Sequence, residues 1–148
     1  MLFLHIQTRQ GSIKRIELEP SSTMGCALDV QNDDLKRLCE QWIECYLNHK
    51  KLPMLPLDYS NMTPFTQKVL FSLLKIPFGS VDTYLNIAGQ AGSPKACRAV
   101  GNVCSKNPFP LVIPCHRVVG KGHLGGFRYG LEMKKQLLKF ESPTQNVF

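Results

Sequence analysis

Several things are scarce in this 148-residue chain, and each scarcity narrows what it can be. No apolar run is long enough to cross a bilayer, so no membrane association is expected. Met1-Leu2-Phe3-Leu4-His5 lacks the architecture of a secretory signal, which makes the cytoplasm the expected compartment. None of the six cysteines (26, 39, 45, 97, 104 and 115) stands at C-x-x-C spacing, so neither a zinc knuckle nor a thioredoxin-like motif is indicated. In that compartment they are expected as reduced thiols rather than a disulfide framework. Internal repeats and low-complexity tracts are missing too. Acidic residues run short in the second part: residues 61–148 hold three, against 11 Lys and Arg, for a net +8. Residues 1–60 carry 8 acidic against 7 basic residues, net −1. A basic half joined to a neutral half points to a polyanionic partner for the basic half.

What is present divides near residue 60. Residues 2–8 and 13–19 read as paired strands around the turn Arg9-Gln10-Gly11-Ser12. Segment 20–31 is loop-like, with room for one more short strand. Asn32 or Asp33 can cap a helix whose apolar positions (Leu35, Leu38, Cys39, Trp42, Ile43, Tyr46, Leu47) keep helical spacing. Residues 50–59 carry two prolines and no helical period, and form an extended connector. The expected domains are therefore 1–60, strands and a helix, and 61–148. The fold class is α+β.

The second part is helix-rich. Thr63-Pro64 supplies an N-cap with proline at the first helical position, followed by an apolar face of Phe65, Val69, Leu70, Leu73 and Leu74. Asp82 or Ser80 can cap a short helix over 83–88. Ser93-Pro94 then opens a third, to about Ser105, with Ala96, Cys97, Val100, Val103 and Cys104 on one small apolar face. Arg98, Asn102 and Ser105 lie opposite. Short helix, glycine turn, then a small-residue helix with a basic outer face is a helix-turn-helix pattern. A last helix spans Leu131 to Glu141 and packs through Leu131, Leu137 and Leu138; residues 144–148 are expected to fray.

Between the third and last helices lies Pro114-Cys115-His116-Arg117. Leu111-Val112-Ile113 leads in and Val118-Val119 leads out, which reads as a short buried strand carrying a cysteine to the floor of a pocket. A neighbouring base or cation makes a thiol reactive by favouring the thiolate. Against this, most free cysteines are small buried hydrophobes, and adjacent residues of a strand face opposite ways.

The run Ile113-Pro114-Cys115-His116-Arg117-Val118 resembles the alkyl-acceptor motif of the O6-alkylguanine-DNA alkyltransferases (methylated-DNA–protein-cysteine methyltransferases). Phe65, Val69-Leu70, Ile76-Pro77-Phe78-Gly79, Tyr84, Ala88, Arg98-Ala99-Val100-Gly101, Asn107-Pro108, Gly130-Leu131, Leu137-Leu138 and Glu141 fall in that family's order and spacing. The resemblance covers residues 63–141; the first 60 residues match it only in type. It implies direct repair of duplex DNA: an O6-alkylated guanine, and O4-alkylthymine with it, is flipped out and its alkyl group moved irreversibly onto Cys115. His116 then acts as base through a bridging water, oriented by Glu141. Asn107 bonds backbone around the active-site loop, and Tyr84 contacts the base edge and crowds a phosphate. Arg98 fills the vacated stack while its helix lies in the minor groove, where Ala96, Ala99 and Gly101 suit the narrow space. Leu85, Thr66, Ser93, Lys95 and Lys121 fall at or beside other DNA contacts. Pro110, Val118, Phe127 and Arg128 would line the guanine pocket.

The chain departs from the family pattern in three ways. Phe127 stands where tyrosine is common, and Arg128-Tyr129 replaces a small residue and a glycine, which is expected to narrow tolerance for large alkyl groups. No Cys/His group matches the structural zinc site of some relatives, so neither metal nor cofactor is expected. The protein is expected to be a monomer on alkylated double-stranded DNA. A damage sensor of the same fold would lack the acceptor cysteine, a helix-turn-helix regulator would read a defined operator, and a Cys-His hydrolase would turn over.

Overall fold

A computed structural model describes residues 1–144, and the chain forms two compact units, Met1–Ser60 and Asn61 onward. In the first, β1 (Leu2–Arg9) and β2 (Ser12–Pro20) form an antiparallel hairpin. Gln10 (φ 51°) and Gly11 (φ 81°) both take the left-handed conformation, which matches the turn to the twist of the strands. β3 (Gly25–Leu28) is the short strand for which segment 20–31 leaves room, and it pairs parallel to β1, giving the order β2-β1-β3. Alternate residues Leu2, Leu4 and Ile6 are buried, as are Ile13, Ile16 and Leu18. α1 (Asp33–Leu47) is capped by Asn32, whose side chain accepts from the Leu35 N–H, and buries Leu35, Cys39, Trp42, Ile43 and Tyr46. The connector is not a free linker: Pro56 O accepts from Ile13 N (2.7 Å) and Asp58 N donates to Ile13 O (2.8 Å), tying it to β2.

The second unit holds α2 (Pro64–Leu74), β4 (Asp82–Thr83), α3 (Tyr84–Gln90), α4 (Cys97–Ser105), β5 (Val118–Val119) and α5 (Leu131–Glu141). Thr63 caps α2 as its spacing predicts; Leu74, expected in the core, is 44% exposed. Neither Asp82 nor Ser80 caps α3. Thr83 does, because Asp82 and Thr83 are extended by pairing with β5. α4 begins at Cys97 rather than Pro94, since Ser93 to Ala96 close a turn (Ala96 N to Ser93 O, 2.9 Å) before the helix starts. α3 and α4 pack as the helix-turn-helix pair. α5 has the expected bounds, but its buried face starts later: Leu131 is 45% exposed, and Lys134, Leu137, Leu138 and Glu141 are buried. The tail from residue 145, expected to fray, lies outside the described residues.

The strand reading of the cysteine segment does not hold. Leu111 turns left-handed (φ 71°), and Cys115–Arg117 form a single 3-10 turn that hands over to β5. Pro110 and Pro114 have no N–H to give a ladder. Local bonds replace it, from Ile113 N to Phe109 O and from Arg117 N to Pro114 O.

Candidate active site

The turn decides where the two neighbours Cys115 and His116 point. Cys115, 5% exposed, lines a cavity of about 500 Å³, in the size range of small-molecule sites. His116 is fully buried. Its Nε2 lies 2.7 Å from Glu141 Oε2, and the other oxygen of that carboxylate accepts from Arg117 Nε at 2.7 Å. Burial alone would raise the Glu141 pKa, but the hydrogen bonds and charges of His116 and Arg117 win and hold it at about 2. Burial dominates at His116, whose pKa is pushed down, so the imidazole rests neutral. A carboxylate has no proton to give, so Nε2 carries the hydrogen and donates it. That leaves Nδ1 a bare acceptor, and among the described residues it is a buried side-chain atom with no partner. The tautomer is thus set by Glu141, and an unpaired base is left on the other side of the ring.

Other elements fix this group. Gly79 (φ 81°) brings the Ile76–Gly79 segment onto the end of α5, where an added Cβ would lie 3.1 Å from Glu141 O. Arg117 Nη1 donates to Ile76 O (2.9 Å), and its guanidinium lies 5.5 Å from the Phe78 ring centroid. Asn107 braces the other side: Nδ2 donates to Ile113 O (2.9 Å) and Oδ1 accepts from Phe109 N (2.9 Å). Burial raises the Cys115 thiol pKa, opposed first by a hydrogen bond from Asn107 and then by the positive charge of Lys134.

Lys134 and Arg117 were given no role from the sequence. Lys134 is fully buried, and its Nζ donates to Val118 O (2.6 Å), Leu124 O (2.6 Å) and Gly126 O (2.9 Å). Burial brings its pKa to about 8. Three carbonyl acceptors call for three N–H donors, which only the ammonium form supplies. A signal for it existed: Lys134 stands on the apolar stripe of α5, three and four residues before Leu137 and Leu138. Arg117 had none.

Tyr84, Arg98, Gly101, Phe127 and Arg128 share the cavity with Cys115. Tyr84 OH accepts from Gly126 N (3.3 Å), and Gly125 passes so close that an added Cβ would lie 2.5 Å from that oxygen. Burial raises the tyrosine pKa. Arg128 folds back on Tyr129, with Nη2 donating to its hydroxyl at 2.7 Å and the guanidinium 4.9 Å from the ring centroid. Pro110 and Val118, placed in the pocket by resemblance, are buried and do not line the cavity; the Val118 carbonyl is held by Lys134. Cys97 and Cys104, expected on the apolar face of that helix, and Ser105, expected opposite, line it as well, a role the sequence does not assign them. Leu85 is 61% exposed on α3. Lys95 and Lys121 are exposed, while Ser93, Ala96 and Ala99 are half-buried. Thr66 lies at a separate crevice of about 200 Å³ with Asn102 and Lys106. Among the described residues no group of three or more His, Cys, Asp or Glu could hold a metal ion, and no helix is long and apolar enough to cross a membrane.

Residues 64–143 match the family model for the 6-O-methylguanine DNA methyltransferase DNA binding domain. The chain belongs to this family. It is 56% identical over 79 residues to a probable methylated-DNA–protein-cysteine methyltransferase of Acanthamoeba polyphaga mimivirus, covering 53% of each chain. A methylated-DNA–protein-cysteine methyltransferase of Methanosarcina acetivorans is 38% identical over 113 residues, covering 76% of this chain and 72% of that one. The fold is similar to that of Mycobacterium tuberculosis OGT in complex with DNA, with a TM-score of 0.75 and 26% identity over 97% of this chain and 96% of that one. The match spans about half the length of several curated relatives, 53%, 52% and 48%. That structural similarity runs through both units, so the α+β class and the helix-turn-helix are those of the family.

Proposed function

We propose that this chain repairs DNA by accepting, once, the alkyl group of an O6-alkylguanine on the sulfur of Cys115. The observation that carries the reading is a thiol lining a cavity, next in sequence to a neutral imidazole whose Nδ1 has no partner among the described residues and whose Nε2 is held by Glu141. The thiol proton passes to Nδ1 through a bridging water, and Glu141 stabilises the imidazolium that forms. Lys134 and the Asn107 side chain favour the thiolate. The thiolate attacks the alkyl carbon, the carbon–oxygen bond breaks, and its electron pair stays on guanine O6. The Tyr84 hydroxyl, on the same cavity, positions the base edge. The product is a thioether, which water does not cleave, so each chain acts once. O4-alkylthymine presents the same kind of carbon and is accepted likewise.

A base reaches this cavity only outside the helix, so the target nucleotide is flipped, at a cost of about a few kcal/mol. Arg98, exposed on α4 at the cavity edge, fills the gap it leaves. The half-buried Ala96 and Ala99, with Gly101, let α4 approach the floor of a minor groove. Leu85, Ser93, Lys95, Thr66 and Lys121 contact the surrounding duplex without reading sequence. The chain works as a monomer in the cytoplasm.

The test is stoichiometric. Protein is mixed with excess duplex containing O6-methylguanine, and its intact and peptide masses are measured. One methyl group on the peptide bearing Cys115, with no further turnover and none in Cys115→Ala, is the expected result. Tight binding with unchanged mass would overturn the reading.

A further inference from the structure

The cavity holds more sulfur than alkyl transfer uses. Cys97, Gly101 and Cys104 stand at i, i+4 and i+7 on α4, so one face of that helix sets two thiols around the cavity that Cys115 lines. Cys104 is the one tied to the acceptor. Its carbonyl accepts from Asn107 N (3.3 Å), and the Asn107 side chain counters the burial that raises the Cys115 thiol pKa. A charge on Cys115 is felt at Cys104, and charges on both are felt at Lys134. Neither spacing in the sequence nor the proposed chemistry called for this pair.

We propose that Cys104 and Cys115 form a peroxide-sensitive dithiol, which hydrogen peroxide converts to a disulfide across the cavity, withdrawing the acceptor reversibly. The thiolate of Cys115, its proton taken by His116 Nδ1, attacks one peroxide oxygen. The O–O bond breaks, the other oxygen leaves as hydroxide and becomes water with that proton, and Cys115 is left as a sulfenic acid. The sulfur of Cys104 then attacks the sulfenic sulfur, the S–O bond breaks, and the second water leaves with the Cys104 proton. The two thiols lose two electrons in total and the peroxide gains them. Burial raises the Cys115 pKa and pushes that of Cys104 to about 12, so both rest as thiols and oxidation is slow beside that of a free thiolate. Once sulfenic acid forms, a partner thiol diverts it from the irreversible sulfinic and sulfonic acids. The pairing rests on cavity geometry; its consequence, loss of alkyl acceptance, rests on the function proposed above.

The test treats the full chain with graded hydrogen peroxide, blocks the remaining thiols, and maps peptides without reduction. The expected result is a linked peptide joining Cys104 to Cys115 that a dithiol reductant cleaves, with methyl acceptance restored alongside. In Cys104→Ala, Cys115 should pass to sulfinic and sulfonic acid. Acceptance recovered after reduction should then be lost relative to that variant's own untreated value. Cys97→Ala should keep the link. A link from Cys115 to Cys97 would overturn the proposal, as would sulfonic Cys115 in the intact chain with no link. So would Cys115 left unmodified at the highest peroxide level that leaves the chain folded, or full recovery in Cys104→Ala. If untreated protein accepts no methyl group, the repair reading fails while the peptide map still decides the dithiol.

Discussion

His116 Nε2 and Glu141 Oε2 stand 2.7 Å apart across 25 residues of sequence, with both side chains buried. That contact sets the imidazole tautomer and so decides which ring nitrogen can act as base. It also holds a carboxylate ionised inside the protein, shared with Arg117.

The first prediction concerns this pair. His116→Ala removes the base, and single-turnover methyl transfer should slow by about 10²–10⁴-fold with DNA affinity kept. Glu141→Gln should slow transfer too, and it leaves Arg117 buried without its counter-charge. Breaking a buried pair in this way costs roughly 3–5 kcal/mol, read as a lower urea midpoint.

Acid should unfold the protein earlier than an ordinary carboxylate would suggest. The Glu141 pKa is lowered from 4.5 to about 2 on folding, so its contribution is full above 4.5 and is lost as pH falls towards 2. His116, lowered from 6.5, acts in the same direction: below 6.5 the unfolded chain takes up a proton that the folded one refuses. Urea midpoints measured from pH 7 to 3 should fall steadily, and Glu141→Gln should flatten the lower part of that fall. A flat wild-type profile would contradict both assignments.

Lys134→Met strands two buried carbonyls, at Val118 and Leu124, and a part-buried one at Gly126. An unsatisfied buried group costs about 1–3 kcal/mol, so a loss on the order of 3 kcal/mol is expected after partial relaxation. Hydrogen exchange should quicken around residues 118–126, and the Cys115 thiol should lose reactivity with its nearby cation gone.

Arg98→Ala should separate extrusion from chemistry. Transfer from O6-methylguanine in duplex should fall, while transfer from the free base, which needs no flipping, should hold. Equal losses on both substrates would remove the stack-filling role.

The stack of Arg128 on Tyr129 should limit bulky lesions. Benzylated guanine should react more slowly than methylated guanine, and Tyr129→Gly, which releases Arg128, should narrow that difference. Comparable rates for the two lesions in the unaltered protein would count against the constraint.

By itself the sequence determined where most helices lie and singled out Cys115 as the candidate acceptor. The Thr63-Pro64 start of α2, the apolar stripe of α1 and the bounds of α5 follow from capping and 3.6-residue periodicity, which act within a few turns. The Cys-His-Arg run, with its neighbours in order, carried the family. Only the tertiary structure decided the rest. Proline and a left-handed Leu111 turned the expected strand into a 3-10 turn, which sent Cys115 to the cavity and His116 into the interior. Glu141 reached His116 and Arg117 only because Gly79 lets the end of α5 close against the segment carrying Ile76. Lys134 found three carbonyls on the 118–126 segment, 8 to 16 residues away, and Cys104 came to share a cavity with Cys115. Pairings of buried charge and thiol depend on which distant segments fold against each other, and no local period in the chain encodes them.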